Sequence, residues 1–243
     1  MPLSTPPEDS PPFEISKFRH LDISTKSLAA LIICFFLSFL YKSQIFSFFT
    51  TSEVFMASKA IKNSYWVVPG EIMAGAFPGS YEDFNAKLRL RSLFDAGIRA
   101  FINLQEEGEM AASDRGYNEN YGDFFRIFLK NSGQQEIEGG LIRRFSIPDK
   151  TVPSVELMKQ ILDEIDMLHA KKIPLYIHCW GGLGRTATVV GCWLMRHGMA
   201  NRGSVIDEIF NLRSIGVDPE YLRYKSPETD EQERFILSWK EGE

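Results

Sequence analysis

One run of residues in this 243-residue chain has the makings of a reactive site: His178-Cys179-Trp180-Gly181-Gly182-Leu183-Gly184-Arg185-Thr186. Gly181, Gly182 and Gly184 let the backbone curl until successive N–H groups point inward, and a helix starting just after them adds the positive end of its dipole. Such a nest suits a tetrahedral dianion. Arg185 contributes a planar fork of donors that can grip two phosphate oxygens at once, which lysine would do less well. A thiol facing the same nest ionises more readily than a free one, so Cys179 is the candidate nucleophile. Thr186 is placed to give its hydroxyl to the cysteine sulfur when that sulfur becomes a leaving group. His178 is placed to anchor the loop from behind, and a thiolate stabilised by its surroundings needs no base, so His178 is read as structural. Trp180 either lines the mouth or shields the loop. Cys192, on an apolar helical stretch, and Cys34, in an apolar run, read as small buried hydrophobes.

Chemistry at this spot requires a strand that delivers the cysteine and a helix that receives the arginine. Leu175 to His178, after Pro174, predicts the strand, and Arg185 to Arg196 the helix. Upstream, Tyr65 to Ala74 contains Pro69-Gly70, which predicts strand, turn and short strand. Asp83 to Ala96 carries apolar Phe84, Leu88, Leu93 and Phe94 and stops at Gly97, as an amphipathic helix does. Ile98 to Leu104 and Arg143 to Ile147 predict two more strands. Ser154 can cap a helix to His169 whose face holds Leu157, Ile161, Leu162, Ile165 and Leu168. Ser204 to Leu212 and Asp230 to Trp239 predict further helices. Strands alternating with helices give an α/β fold, a central mixed or parallel sheet of about four to five strands flanked by helices. The polar, Gly-containing stretch from Gln105 to Gly140 yields no assignment.

The nine-residue run resembles the Cys-x5-Arg signature of the protein tyrosine phosphatase superfamily, most closely its small dual-specificity members, and the resemblance extends over about Tyr65 to Trp239. It implies that Cys179 attacks phosphorus to form a phosphocysteine, that Arg185 holds the equatorial oxygens, and that Trp180, Gly181, Gly182, Leu183 and Gly184 supply the phosphate-binding amides. The family places an aspartic acid on a separate loop to protonate the leaving oxygen. Ser146-Ile147-Pro148-Asp149-Lys150 resembles that loop, which makes Asp149 the implied general acid. Ser226 to Phe235 is similar to a glutamine-bearing segment that positions hydrolytic water: Gln232 matches its second glutamine, while Glu228 stands where the first would be. Gln232 is therefore either water-positioning or an ordinary helix-surface residue. The implied substrate is phosphotyrosine, and with it phosphoserine or phosphothreonine, in a phosphorylated protein. Lipid-specific relatives carry lysines inside the loop, and none stands here. No metal or cofactor is implied. The alternatives are a catalytically silent phosphate-binding module and a membrane-tethered adaptor.

Composition sets the wider frame. With 27 basic and 32 acidic side chains and no long basic run, nucleic acid is not an expected partner. Three scattered cysteines make neither a disulfide framework nor a zinc cluster, and a reducing, intracellular compartment suits a reactive thiol. The first sixty residues, rich in proline and polar residues, predict a disordered leader ahead of a catalytic domain spanning 61–243. Within the leader, Leu28 to Tyr41 is apolar between Lys26 and Lys42. It is short for a bilayer span, though snorkelling by Lys42 would lengthen it. A cytosol-facing membrane anchor, a cleaved targeting segment and a docked leader all fit, and a start at Met56 would remove the segment.

Overall fold

The computed structural model describes residues 61–80, 82–109 and 121–243. The apolar segment 28–41 and the expected boundary near residue 60 lie outside them. Among the described residues no helix is long and apolar enough to cross a membrane.

Strand β1 (Ser64–Val68) turns back through Pro69-Gly70 into β2 (Ile72–Gly75), with Glu71 N–H donating to the Val68 carbonyl at 3.0 Å. A connection this short can join only antiparallel strands. The remaining strands, β3 (Ala100–Asn103), β4 (Ile142–Arg144) and β5 (Leu175–His178), are reached through helices and pair in parallel. The result is a five-stranded mixed sheet in the order β1-β2-β5-β3-β4.

Position in the sheet sets where β5 delivers Cys179. It lies between β2 and β3, and at its last residue His178 registers against both Gly75 and Asn103. Side-chain alternation divides its residues between two cores. Leu175 and Ile177 join one core with α3 (Val155–Ala170), α4 (Arg185–Arg196), α5 (Val205–Gly216) and α7 (Asp230–Ser238). Tyr176 joins the other, an aromatic layer of Phe94, Phe101, Tyr121 and Phe125 under α1 (Asp83–Asp95) and α2 (Tyr121–Asn131). A one-turn helix, α6 (Pro219–Leu222), follows α5. Helix α4 is buried along nearly its whole length, so the helix that opens at Arg185 is a fixed central post. Ser154 caps α3 as its position suggested, its hydroxyl accepting from Leu157 N–H at 3.1 Å.

Several elements differ from expectation: the strand expected over Ile98 to Leu104 is confined to Ala100–Asn103, and α6 is an addition. The strand expected to Ile147 ends at Arg144. Beyond it the amides of Phe145 and Ile147 still donate to Asn103 and Leu104 at 2.8 and 3.1 Å before Pro148 turns the chain away. Helix α2 lies inside the unassigned 105–140 stretch: Tyr121, Phe125 and Leu129 do form a buried helical stripe, but polar sequence on both sides obscures it. Helix α5 continues one turn past Leu212 to Gly216.

Candidate active site

The loop after β5 is held from outside by its own carbonyls. His178 Nδ1 faces the Cys179 carbonyl at 3.2 Å, and Phe77 N–H donates to the Trp180 carbonyl at 2.9 Å. Asn63 Nδ2 donates to the Gly181 carbonyl, and the Ser226 hydroxyl donates to the Leu183 carbonyl at 2.8 Å. With the carbonyls drawn outward, amides are left to face inward, and Gly182 N–H points at Cys179 Sγ, 3.3 Å away. Gly182 sits at φ +71°, and a Cβ there would lie 2.4 Å from the Gly75 carbonyl carbon. Only glycine allows the loop to close this tightly on β2. Trp180, 39% exposed, tilts over Phe77 at the rim with ring centroids 6.0 Å apart.

His178 is fully buried, stacked on Tyr176 and bonded through Nε2 to the Tyr121 hydroxyl at 2.7 Å. A carbonyl can only accept, so Nδ1 carries the ring proton toward Cys179 O and Nε2 accepts from Tyr121. Burial disfavours the charged ring and brings the His178 pKa down to about 3, despite the opposing bond to the Cys179 carbonyl. His178 is thus a neutral brace behind Cys179.

Arg185 is the most heavily partnered side chain at the site. Its Nη1 donates to Glu109 Oε2 at 2.6 Å and to the Ile147 carbonyl at 2.9 Å; its Nη2 donates to Glu109 Oε1 at 2.8 Å and to Asp149 Oδ1 at 2.9 Å. Burial pulls its pKa down, but Glu109, Cys179 and Asp149 together outweigh that and raise it. Burial would likewise raise the Glu109 pKa; the bonds and charge of Arg185, with bonds from Gln105 and Glu106, hold it below the usual carboxylate value. The loop from Ser146 to Lys150 therefore lies beside the turn at Cys179, with the Asp149 carboxylate more than half exposed.

The Thr186 hydroxyl donates to the Gly75 carbonyl at 3.4 Å, a fixed acceptor that β2 offers it. One expectation changes. Gln232 is not a helix-surface residue: it is fully buried and completes a capping box with Thr229 at the start of α7. Its carboxamide oxygen accepts two backbone amides, from Glu228 and Thr229 at 3.1 Å each. Cys192 is buried in the core as expected, and burial pushes its thiol pKa well up.

Glu109, Tyr121, Asn63 and Ser226 were not identified from sequence. Each acts across a long separation in the chain, and no local pattern marks it. Among the described residues no group of three or more His, Cys, Asp or Glu side chains is arranged to hold a metal ion.

A sheet that presents a cysteine at the end of a strand, followed by a glycine-rich turn and a buried arginine at the start of a helix, defines a cysteine-phosphatase fold. Residues 78–199 match the family model described as "Polymorphic toxin system, DSP-PTPase phosphatase", and the chain belongs to that family. Its domain is a phosphatase domain of the dual-specificity type. Kinase associated phosphatase, solved with a serine replacing its catalytic-site cysteine, shares the fold with a TM-score of 0.52 and 19% identity over 72% of this chain and 90% of that one. The mouse dual specificity protein phosphatase CDC14B is 38% identical over 50 residues, 21% of this chain and 10% of that protein. An uncharacterized protein of Methanocaldococcus jannaschii is 30% identical over 93 residues, 38% of this chain and 51% of that protein. The matches thus span a tenth and about half of the length of these curated relatives.

Proposed function

We propose that residues 61–243 form a catalytic domain that hydrolyses phosphomonoesters in phosphorylated proteins, on phosphotyrosine and also on phosphoserine or phosphothreonine, through a phosphocysteine. The observation that carries this is Cys179 Sγ seated against the inward amide of Gly182, with Arg185 and Asp149 joined at 2.9 Å in the same site. The amides of residues 180–184 and Arg185 would hold the phosphoryl oxygens. Of the five guanidinium N–H donors, the four on Nη1 and Nη2 are already used, leaving Nε–H. A phosphate bound bidentately along the Nε and Nη2 edge displaces Asp149 from Nη2 and frees it to turn toward the leaving oxygen.

Cys179 sulfur then forms a bond to phosphorus as the ester P–O bond breaks, and the Asp149 proton goes to the departing oxygen. Water attacks the phosphocysteine with Asp149 taking its proton; inorganic phosphate leaves and the thiolate is restored. Glu109 keeps the guanidinium plane fixed throughout, and Thr186 ties the first turn of α4 to β2. No step requires a metal, and the cytosol, which keeps thiols reduced, suits the enzyme.

The test is hydrolysis of an aryl phosphate by the full chain in the presence of a chelator. Cys179→Ser should abolish turnover, and Asp149→Asn should lower kcat by about 10² to 10⁴-fold. A folded, reduced wild type without turnover would sink the enzyme reading in favour of a silent phosphate-binding module.

A further inference from the structure

We propose that Gln232 is a positioning residue that clamps the acid loop onto the phosphate loop, so that Asp149 reaches the leaving oxygen; the inference rests on the phosphatase reading above. A glutamine buried to 0% exposure must satisfy its amide internally. While its oxygen holds the Glu228 and Thr229 amides, its Nε2 donates to the Thr151 carbonyl at 3.1 Å, two residues past Asp149. The same carboxamide lies flat on Gly184, where a Cβ would come within 2.8 Å of Nε2 and 2.9 Å of Oε1. Gly184 immediately precedes Arg185, so one amide group touches both catalytic loops.

Neighbours in the same segment repeat the arrangement. The Thr229 hydroxyl donates to the Lys150 carbonyl at 3.5 Å, and the Ser226 hydroxyl reaches the Leu183 carbonyl. Between these ties Lys150 is held at φ 62°, a left-handed conformation that costs a non-glycine residue energy. A strained backbone next to the acid persists only when surrounding contacts fix it, and Gln232 supplies the best enclosed of them. The donor matters more than the volume, because the Thr151 carbonyl can only accept.

The experiment is a leaving-group series of aryl phosphates whose phenols differ in acidity, run on the full chain and on Gln232→Glu, Gln232→Met and Asp149→Asn. In the wild type, log kcat/KM should depend weakly on phenol pKa, since the acid neutralises the departing oxygen. Both Gln232 variants should steepen that dependence toward that of Asp149→Asn. Phenyl phosphate should lose about 10 to 10²-fold and the dinitrophenyl ester less than about threefold. Adding either change to Asp149→Asn should cost less than about twofold more, because both act on one group.

An unchanged slope with a burst of phenol and accumulating phosphocysteine would overturn the proposal and assign Gln232 to the hydrolytic water. A uniform loss across the series would overturn it too, as would loss of cooperative melting in both variants, which would make Gln232 a folding residue. Absence of wild-type turnover would instead sink the phosphatase reading itself.

Discussion

The two halves of the site are built by opposite means. The proposed phosphate loop from Cys179 to Gly184 is contiguous, turns the Gly182 amide toward Cys179 Sγ, and is fixed by bonds to its outward carbonyls. The acid side has no such continuity. Asp149 stands on a loop whose backbone is held by Gln232 and Thr229, and it meets an arginine whose orientation is set by Glu109, 76 positions away in sequence. Backbone amides need only the right turn, whereas a guanidinium and a carboxyl on long or mobile supports need partners to fix them. The comparison predicts that the phosphate loop fails through steric changes to its backbone, and the acid side through loss of remote side-chain bonds.

Gly182→Ala should give the largest effect. The added methyl meets the Gly75 carbonyl carbon at 2.4 Å and the Ala76 nitrogen at 2.5 Å, both backbone atoms that cannot swing aside, at a φ of +71° that alanine resists. The loop must open, and turnover should fall by at least about 10²-fold, the scale of losing one aimed backbone donor. Vanadate or phosphate affinity, measured by calorimetry, should fall with it. Wild-type affinity in this variant would mean that the loop tolerates another conformation.

Glu109→Ala should come next. It removes both carboxylate oxygens from a buried guanidinium, leaving Nη1 with the Ile147 carbonyl and Nη2 with Asp149. Breaking a well-buried pair costs about 3 to 5 kcal/mol, and the partial exposure of Glu109 places this one near or below the lower end. Urea unfolding checks the loss, and Glu109→Gln, which keeps an acceptor, should recover part of it. Equal stability in wild type and Glu109→Ala would mean that the loop alone orients Arg185.

The same contrast decides what could be read in the sequence. The turn at Cys179 was legible because its shape depends on consecutive residue types: a cysteine, closely spaced glycines, an arginine, between an apolar strand and an apolar helix. The parallel strands and most helices were legible from their apolar patterns. Glu109 was not, because it sits in a polar run, Gln105-Glu106-Glu107-Gly108-Glu109, in which nothing distinguishes the one carboxylate that reaches Arg185. For Gln232 the surface alternative fails: three acidic residues around it in the first turn of α7 suggest a solvated face, whereas the capping box turns its side chain inward. The direction of the Thr186 hydroxyl depends on the nearest fixed acceptor, the Gly75 carbonyl, which belongs to a strand over a hundred residues earlier.

The smallest effect concerns the brace behind the nucleophile, and it is read from stability against pH. Folded His178 has a pKa of about 3 against an ordinary value of 6.5, chiefly because burial excludes its charge. The unfolded chain therefore binds a proton there as pH falls below about 6.5, while the folded chain stays neutral until pH approaches 3. Stability contributed by this group is complete above the ordinary value and declines by up to about 1.4 kcal/mol per pH unit inside that window. Paired carboxylates such as Glu109 act in the same direction, but only below their own ordinary range near pH 4.5, so pH 5 to 6.5 isolates histidine. His178→Asn should lower stability at pH 7.5, since the bond to Tyr121 is lost, yet flatten the decline between pH 6.5 and 5. Urea midpoints at those pH values check this. A mutant that declines as steeply as the wild type would show that His178 takes up its proton over the same pH range in the folded and unfolded chains, and one that declines more steeply would replace the neutral brace by a charged one.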